Sequence, residues 1–253
     1  MLRAERLTIT AGARTLCRDL ELEVVPGEMW AVLGCNGSGK TTLLHALAGL
    51  APAAAGRVSV AGRPLAAYAR RELGRTLGIL LQREDHEYWG TLADYVLLGR
   101  YPHARGLFGW DAADEEALAR ALAAFDLESL AAQAYGTLSG GERQRARLAQ
   151  LWAQDPALLL LDEPLQHLDL RHQLQALEQV REAVRDRGNA ALLVLHELTY
   201  AGRCDRVLML HGDGRYAVGT ADELLQPARL EDLYGCRVRA CGEGPHAHFV
   251  PVI

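Results

Sequence analysis

Apolar and polar residues alternate over Leu7-Thr8-Ile9-Thr10 and again over Leu20-Glu21-Leu22-Glu23-Val24, on either side of a glycine-containing turn. A period of two predicts antiparallel strands with one wet face. Pro26-Gly27 marks the next turn. Short unbroken apolar runs follow at Trp30-Ala31-Val32-Leu33, Leu158-Leu159-Leu160-Leu161 and Leu192-Leu193-Val194-Leu195, and these read as buried strands, with residues 57–60 and 77–81 as further strands. Helical spacing is found over residues 41–50, 111–125, 143–152 and 170–187, the second of these opening on an acidic first turn that suits a helix N-terminus. The stretch 83–155 is mostly helical and interrupts the strand signals. This order predicts an α/β fold: one sheet-based core, an N-terminal antiparallel β-subdomain and an inserted α-helical subdomain. Ala51-Pro52-Ala53-Ala54-Ala55-Gly56 is the one low-complexity linker, no internal repeat is visible, and after Tyr234 the pattern weakens into what reads as loop around Gly242-Glu243-Gly244-Pro245.

The run that ends at Leu33 leads into Gly34-Cys35-Asn36-Gly37-Ser38-Gly39-Lys40-Thr41. This fits G-x-x-x-x-G-K-[ST], the loop that cradles nucleotide phosphates, and it lies between a predicted strand and a predicted helix, as that motif requires. Composition sharpens the match. Of 27 Lys and Arg residues only Lys40 is lysine. A compact ammonium can run beside phosphates inside a tight glycine loop, where the wide guanidinium fork would displace backbone N–H groups already aimed at them.

At 253 residues the chain can bury a substantial core. A net charge of −5 argues against binding nucleic acid through bulk electrostatics. The longest apolar runs fall far short of the ~18 residues that a membrane span needs, and Met1 to Glu5 runs directly into strand-like sequence, so neither a span nor a signal peptide is expected. Five cysteines, Cys17, Cys35, Cys204, Cys236 and Cys241, are odd in number and include no C-x-x-C pair, which suits a reducing cytosol.

Other candidate chemistry lies downstream. Asp162-Glu163-Pro164 places two carboxylates at the end of a buried strand, where parallel α/β sheets bind ligands. Adjacent anions repel unless a cation or a reaction uses them; in phosphoryl transfer Asp162 would share Mg²⁺ with Thr41 and Glu163 would polarise the attacking water. Leu138-Ser139-Gly140-Gly141-Glu142 precedes a helical run. Ser139-x-x-Glu142 is a capping box, yet a cap does not need two glycines, each costing about 1 kcal/mol in a first turn, whereas bare N–H groups at a helix start suit an anion. Both readings stand together. His196 and Gln82 each end a predicted strand, a place where such residues are as readily packed or solvated as functional.

The ordered set of Gly34 to Thr41, Gln82, Leu138 to Glu142, Leu160 to Pro164, Leu168-Asp169 and His196 resembles the nucleotide-binding subunits of ATP-binding cassette (ABC) transporters. The likeness covers about residues 2–235, leaving 236–253 as a C-terminal extension. It implies a P-loop NTPase core of RecA-like fold. It further implies that Gly34, Cys35, Asn36, Gly37, Ser38, Gly39, Lys40, Thr41 and Thr42 hold ATP, that Thr41, Gln82 and Asp162 hold Mg²⁺, and that Gln82 senses the γ-phosphate. Glu163 is the implied general base, His196 the switch histidine and Asp169 an interface residue. Ser139, Gly140, Gly141 and Glu142 would complete the ATP site of a second copy, so that two chains close head to tail around two ATP molecules.

Leu97-Leu98-Gly99-Arg100-Tyr101-Pro102-His103 resembles the ATPases of importers for iron chelates, haem and vitamin B12, in the region where the family docks its permease. The chain is thus expected to be a peripheral ATPase on the cytoplasmic face of a bacterial inner membrane, partnered by permease subunits and indirectly by a substrate-binding protein. No nucleic-acid partner is expected. The alternative, a cassette ATPase of DNA repair or translation, typically brings coiled coils, tandem cassettes or basic extensions, which this sequence lacks. One departure concerns the base. The family usually has an aromatic residue against adenine about where this chain has Ala11-Gly12-Ala13-Arg14, which leaves Arg14 as the residue able to stack and GTP as a competitor. In the tail, Cys236-x4-Cys241-x4-His246-x-His248 raises the idea of a soft-metal site, although its spacing matches no standard zinc pattern.

Overall fold

The computed structural model describes residues 1–82, 88–104, 109–242 and 248–252. Its elements run β1 Leu2–Ala11, β2 Arg14–Val24, β3 Met29–Leu33, α1 Lys40–Leu47, β4 Ala55–Val60, β5 Arg63–Pro64, α2 Arg70–Thr76, β6 Leu77–Leu80, α3 Leu92–Leu97, α4 Ala112–Ala124 and α5 Gly140–Gln154. There follow β7 Leu158–Asp162, α6 Leu170–Arg187, β8 Ala190–Val194, α7 Leu198–Ala201, β9 Arg206–Leu210, β10 Tyr216–Thr220, α8 Ala221–Leu224, α9 Pro227–Tyr234, β11 Val238–Cys241 and β12 His248–Pro251.

The two alternating segments pair antiparallel as β1 and β2, in a four-stranded sheet ordered β2-β1-β4-β5. The apolar runs enter a six-stranded sheet ordered β10-β9-β3-β8-β7-β6, parallel except for the edge strand β10. All five residues of β3, β7 and β8 are buried. They alternate between two cores: Met29, Ala31 and Leu33 face the helical side, while Trp30 and Val32 face the antiparallel sheet and α1. A strand covered on both faces has no use for polar alternation, which is why these segments read as continuous apolar runs.

The insertion is helical, as expected. Its residues 83–87 and 105–108 lie outside the described residues. α5 is anchored at its C-terminal end, where Arg100 donates to the Ala153 carbonyl (2.9 Å) and pairs with Asp114 at 2.8 Å, both side chains nearly buried, and where the His103 ring meets the Gln154 carbonyl at 2.9 Å. Three residues of the 97–103 motif are thereby accounted for by packing: Arg100 and His103 close open carbonyls at a helix end, and the Pro102 carbonyl accepts from Arg71 and Arg75.

Some expectations change. α5 begins at Gly140 rather than 143, because the Ser139 box supports the glycine pair. The tail is not plain loop: β11 and β12 pair antiparallel, and Val238 and Phe249 pack into the helical-side core. His246 and the side chain of His248 lie outside the described residues, and no group of three potential metal ligands occurs among those described. No helix among the described residues is long and apolar enough to cross a membrane.

Candidate functional site

Four neighbouring strands, β3, β8, β7 and β6, are parallel, so their C-terminal ends open onto one edge of the sheet. The phosphate loop follows β3, His196 follows β8, Asp162 ends β7 with Glu163 next, and Gln82 follows β6. Adjacent strands are about 4.8 Å apart, which brings residues scattered over the sequence into one cleft. That cleft is lined by Ala11, Leu16, Asn36, Gly37, Gly39, Lys40, Thr41, Thr42, Gln82, Glu163, Gln166 and His196.

Close packing dictates the loop. A Cβ at Gly34 would overlap the Leu210 carbonyl and the Ser38 hydroxyl. Gly39 has φ +103° and its missing Cβ would lie 2.9 Å from the Leu16 side chain, so both the turn and the contact require glycine. Lys40, only 6% exposed, curls back so that Nζ donates to the Gly34 carbonyl at 2.7 Å and the Cys35 carbonyl at 3.0 Å. Burial lowers its pKa below the usual lysine value, and Glu163 and Asp162 partly restore it.

At the end of β7, Asp162 is 1% exposed and neither carboxylate oxygen has a hydrogen-bond partner among the described residues. Burial raises its pKa; the approach of the Thr41 hydroxyl, which completes no bond of good geometry, pulls it down, and the neighbouring Glu163 charge pushes it up again. Glu163 adopts a left-handed backbone (φ +52°) and shares a proton with His196 Nε2 at 2.7 Å through Oε1, while Oε2 has no partner among the described residues. The Ser38 hydroxyl, 2% exposed, also has none. Buried oxygen atoms are normally hydrogen-bonded. A cluster of unmatched hard-oxygen donors beside a helix N-terminus and a buried ammonium fits Mg²⁺ and a polyphosphate together.

Several expected residues stand elsewhere. Ser139 caps α5 by accepting from the Glu142 N–H at 3.3 Å, and the Glu142 carboxylate accepts from the Ser139 N–H at 2.7 Å. Around Gly140 there is open space, and none of Ser139, Gly140, Gly141 or Glu142 lines the cleft. Asp169 caps α6 by accepting from the His172 N–H at 2.9 Å and is likewise outside the cleft. Arg14 is corrected: its Nε donates to the Gly212 carbonyl at 2.8 Å, which commits the guanidinium to the loop after β9, and it does not line the cleft. Leu16 and Gln166 line it without having been foreseen. Leu16 belongs to no motif, and its packing against Gly39 arises only when β2 is laid beside the loop; Gln166, in the turn after Glu163, had only its closeness to the carboxylates as a signal.

Residues 17–166 match the profile of the ABC transporter family. Over 237 residues the chain is 38% identical to the ferric enterobactin transport ATP-binding protein FepC of Escherichia coli, covering 93% of this chain and 88% of that protein. It is 40% identical over 244 residues to the hemin import ATP-binding protein HmuV of Pseudomonas fluorescens, covering 94% of each. The fold superposes on a chain of an ABC transporter of metal-chelate type in an inward-facing conformation with a TM-score of 0.85 and 25% identity, covering 100% of this chain and 97% of the other. With its phosphate loop, its paired carboxylates and its Ser139-Gly140-Gly141 turn set in that fold, the chain belongs to the ABC transporter family.

Proposed function

We propose that the chain hydrolyses ATP in this cleft as the motor subunit of an importer for an iron chelate or haem, seated on the cytoplasmic face of a bacterial inner membrane against permease subunits. The observation that carries the ATPase reading is the convergence of Lys40, Asp162, Glu163 and His196 at the ends of three adjacent strands, β3, β7 and β8, with buried oxygens unmatched. The substrate class rests on the likeness to the enterobactin and hemin proteins. Lys40 and the loop N–H groups bind the β- and γ-phosphates. Thr41, Gln82 and Asp162 would hold Mg²⁺, whose chemistry there is to neutralise phosphate charge. Glu163 takes the proton of the attacking water, and His196, bonded to Glu163, orients that carboxylate. Measuring ATPase turnover and co-purification with a membrane permease tests this reading; a chain that turns over ATP but travels with nucleic acid would favour the repair or translation alternative.

Two copies are proposed to close head to tail, because Ser139 and Gly140 are exposed and, with half-buried Gly141, stand outside their own chain's cleft. Ser139→Arg is therefore expected to leave ATP affinity of the isolated subunit within about twofold while suppressing dimer closure and turnover. Loss of nucleotide binding by the monomer would contradict the role in a second copy.

The apolar side chains that line the cleft are Ala11 and Leu16, and neither can read a base edge. Strong discrimination between purines needs hydrogen bonds that the wrong base leaves unpaired. ATP and GTP are expected to compete with dissociation constants within about fivefold of each other; a much larger gap in a displacement assay would count against this.

A further inference from the structure

The phosphate loop is approached from behind by the C-terminal helix. The Cys35 thiol donates to the Leu233 carbonyl at 3.3 Å. Tyr234, the next residue and the last of α9, is half-buried. Burial pushes the phenol up to about 12, with the Cys35 sulfur adding to the rise and the Gly34 backbone partly offsetting it, so it stays a neutral hydroxyl. On their other side, the same two loop residues present the carbonyls that hold Lys40 Nζ.

The helix is a firm support. Leu230 and Leu233 are buried in the helical-side core. Asp232 lies 3.3 Å from Arg215 and 3.7 Å from the His211 ring, tying α9 to the loop after β9, whose Gly212 packs against the Ser38 backbone. Val238 N–H donates to Glu231 at 2.9 Å, closing the far end of the helix.

Resting on the ATPase reading, we propose that Cys35 is a positioning residue of the ATP site through its thiol, which fastens the loop to α9 so that the Gly34 and Cys35 carbonyls hold Lys40 at the height where the phosphates arrive. The C-terminal helix is then part of the nucleotide site although none of its residues lines the cleft. Movement of α9 changes ATP affinity before it changes the chemical step, because Glu163 and His196 stand on other strands.

The test is steady-state ATPase kinetics with calorimetric ATP titration on the full chain carrying Cys35→Ala or Cys35→Ser. Cys35→Ala is expected to raise KM and Kd for ATP about three- to tenfold with a smaller effect on kcat, and Cys35→Ser, which keeps a donor to the Leu233 carbonyl, to recover most of that loss of affinity. Unchanged KM in Cys35→Ala, or Cys35→Ser behaving like Cys35→Ala, overturns the proposal. So does a fall in kcat and thermal stability with KM unmoved, the outcome of a merely structural contact. A parent chain that neither binds nor hydrolyses ATP overturns the ATPase reading as well, whereas an active parent with unmoved variants overturns the fastening alone.

Discussion

Replacing Glu163 by Gln is expected to preserve ATP binding and to lower hydrolysis about 10²–10⁴-fold, the contribution of a positioned base. Gln keeps the shape of the side chain and a carbonyl that can accept from His196, so the 2.7 Å link survives. It loses the second, unmatched oxygen and with it the capacity to take a proton from water. The substitution also removes the negative charge that raises the pKa of Asp162, leaving that carboxylate easier to ionise. Binding should thus be retained or tightened while turnover collapses. Single-turnover hydrolysis set beside equilibrium titration separates the two, and turnover near that of the parent would remove Glu163 from the role of base.

Lys40→Arg is expected to weaken ATP binding about 10²-fold or more, since charge-assisted bonds to phosphate contribute roughly 1.5–3 kcal/mol each. Conservation of charge does not rescue it. Nζ is held between two carbonyls at 2.7 and 3.0 Å in a nearly closed pocket, and a guanidinium is too wide and lacks the single-point geometry to take its place. The readout is thermal: saturating ATP should raise the melting temperature of the parent but leave the variant unmoved, because stabilisation grows with ligand concentration over Kd. An equal ATP-dependent rise in both would refute the contact.

The phosphate loop, the carboxylate pair and the Ser139 turn are local patterns whose chemistry is written in consecutive residues, and each took its expected place in the chain. The buried strands were legible because full burial leaves an unbroken apolar signature. The strand order was not, because it depends on which runs pack side by side, and the convergence of His196, Asp162 and Gln82 follows from that order. Leu16 and Gln166 illustrate the limit: nothing in either side chain announces a nucleotide, and only their position in the fold brings them to it. Arg14 shows the opposite error, a suitable side chain claimed by a nearer carbonyl. The β11 and β12 pair escaped detection because four-residue strands with mixed polarity carry little periodicity, and their burial depends on the rest of the domain.

The unmatched oxygens of Ser38, Asp162 and Glu163 have a consequence for directed evolution of this protein. Each is a buried polar group that an apolar or self-satisfied substitute would render more stable, by about 1–3 kcal/mol. A screen that rewards heat resistance without asking for nucleotide turnover should therefore collect replacements at these three positions early, and its most robust winners should be inert. Libraries intended to harden the protein need these positions held fixed.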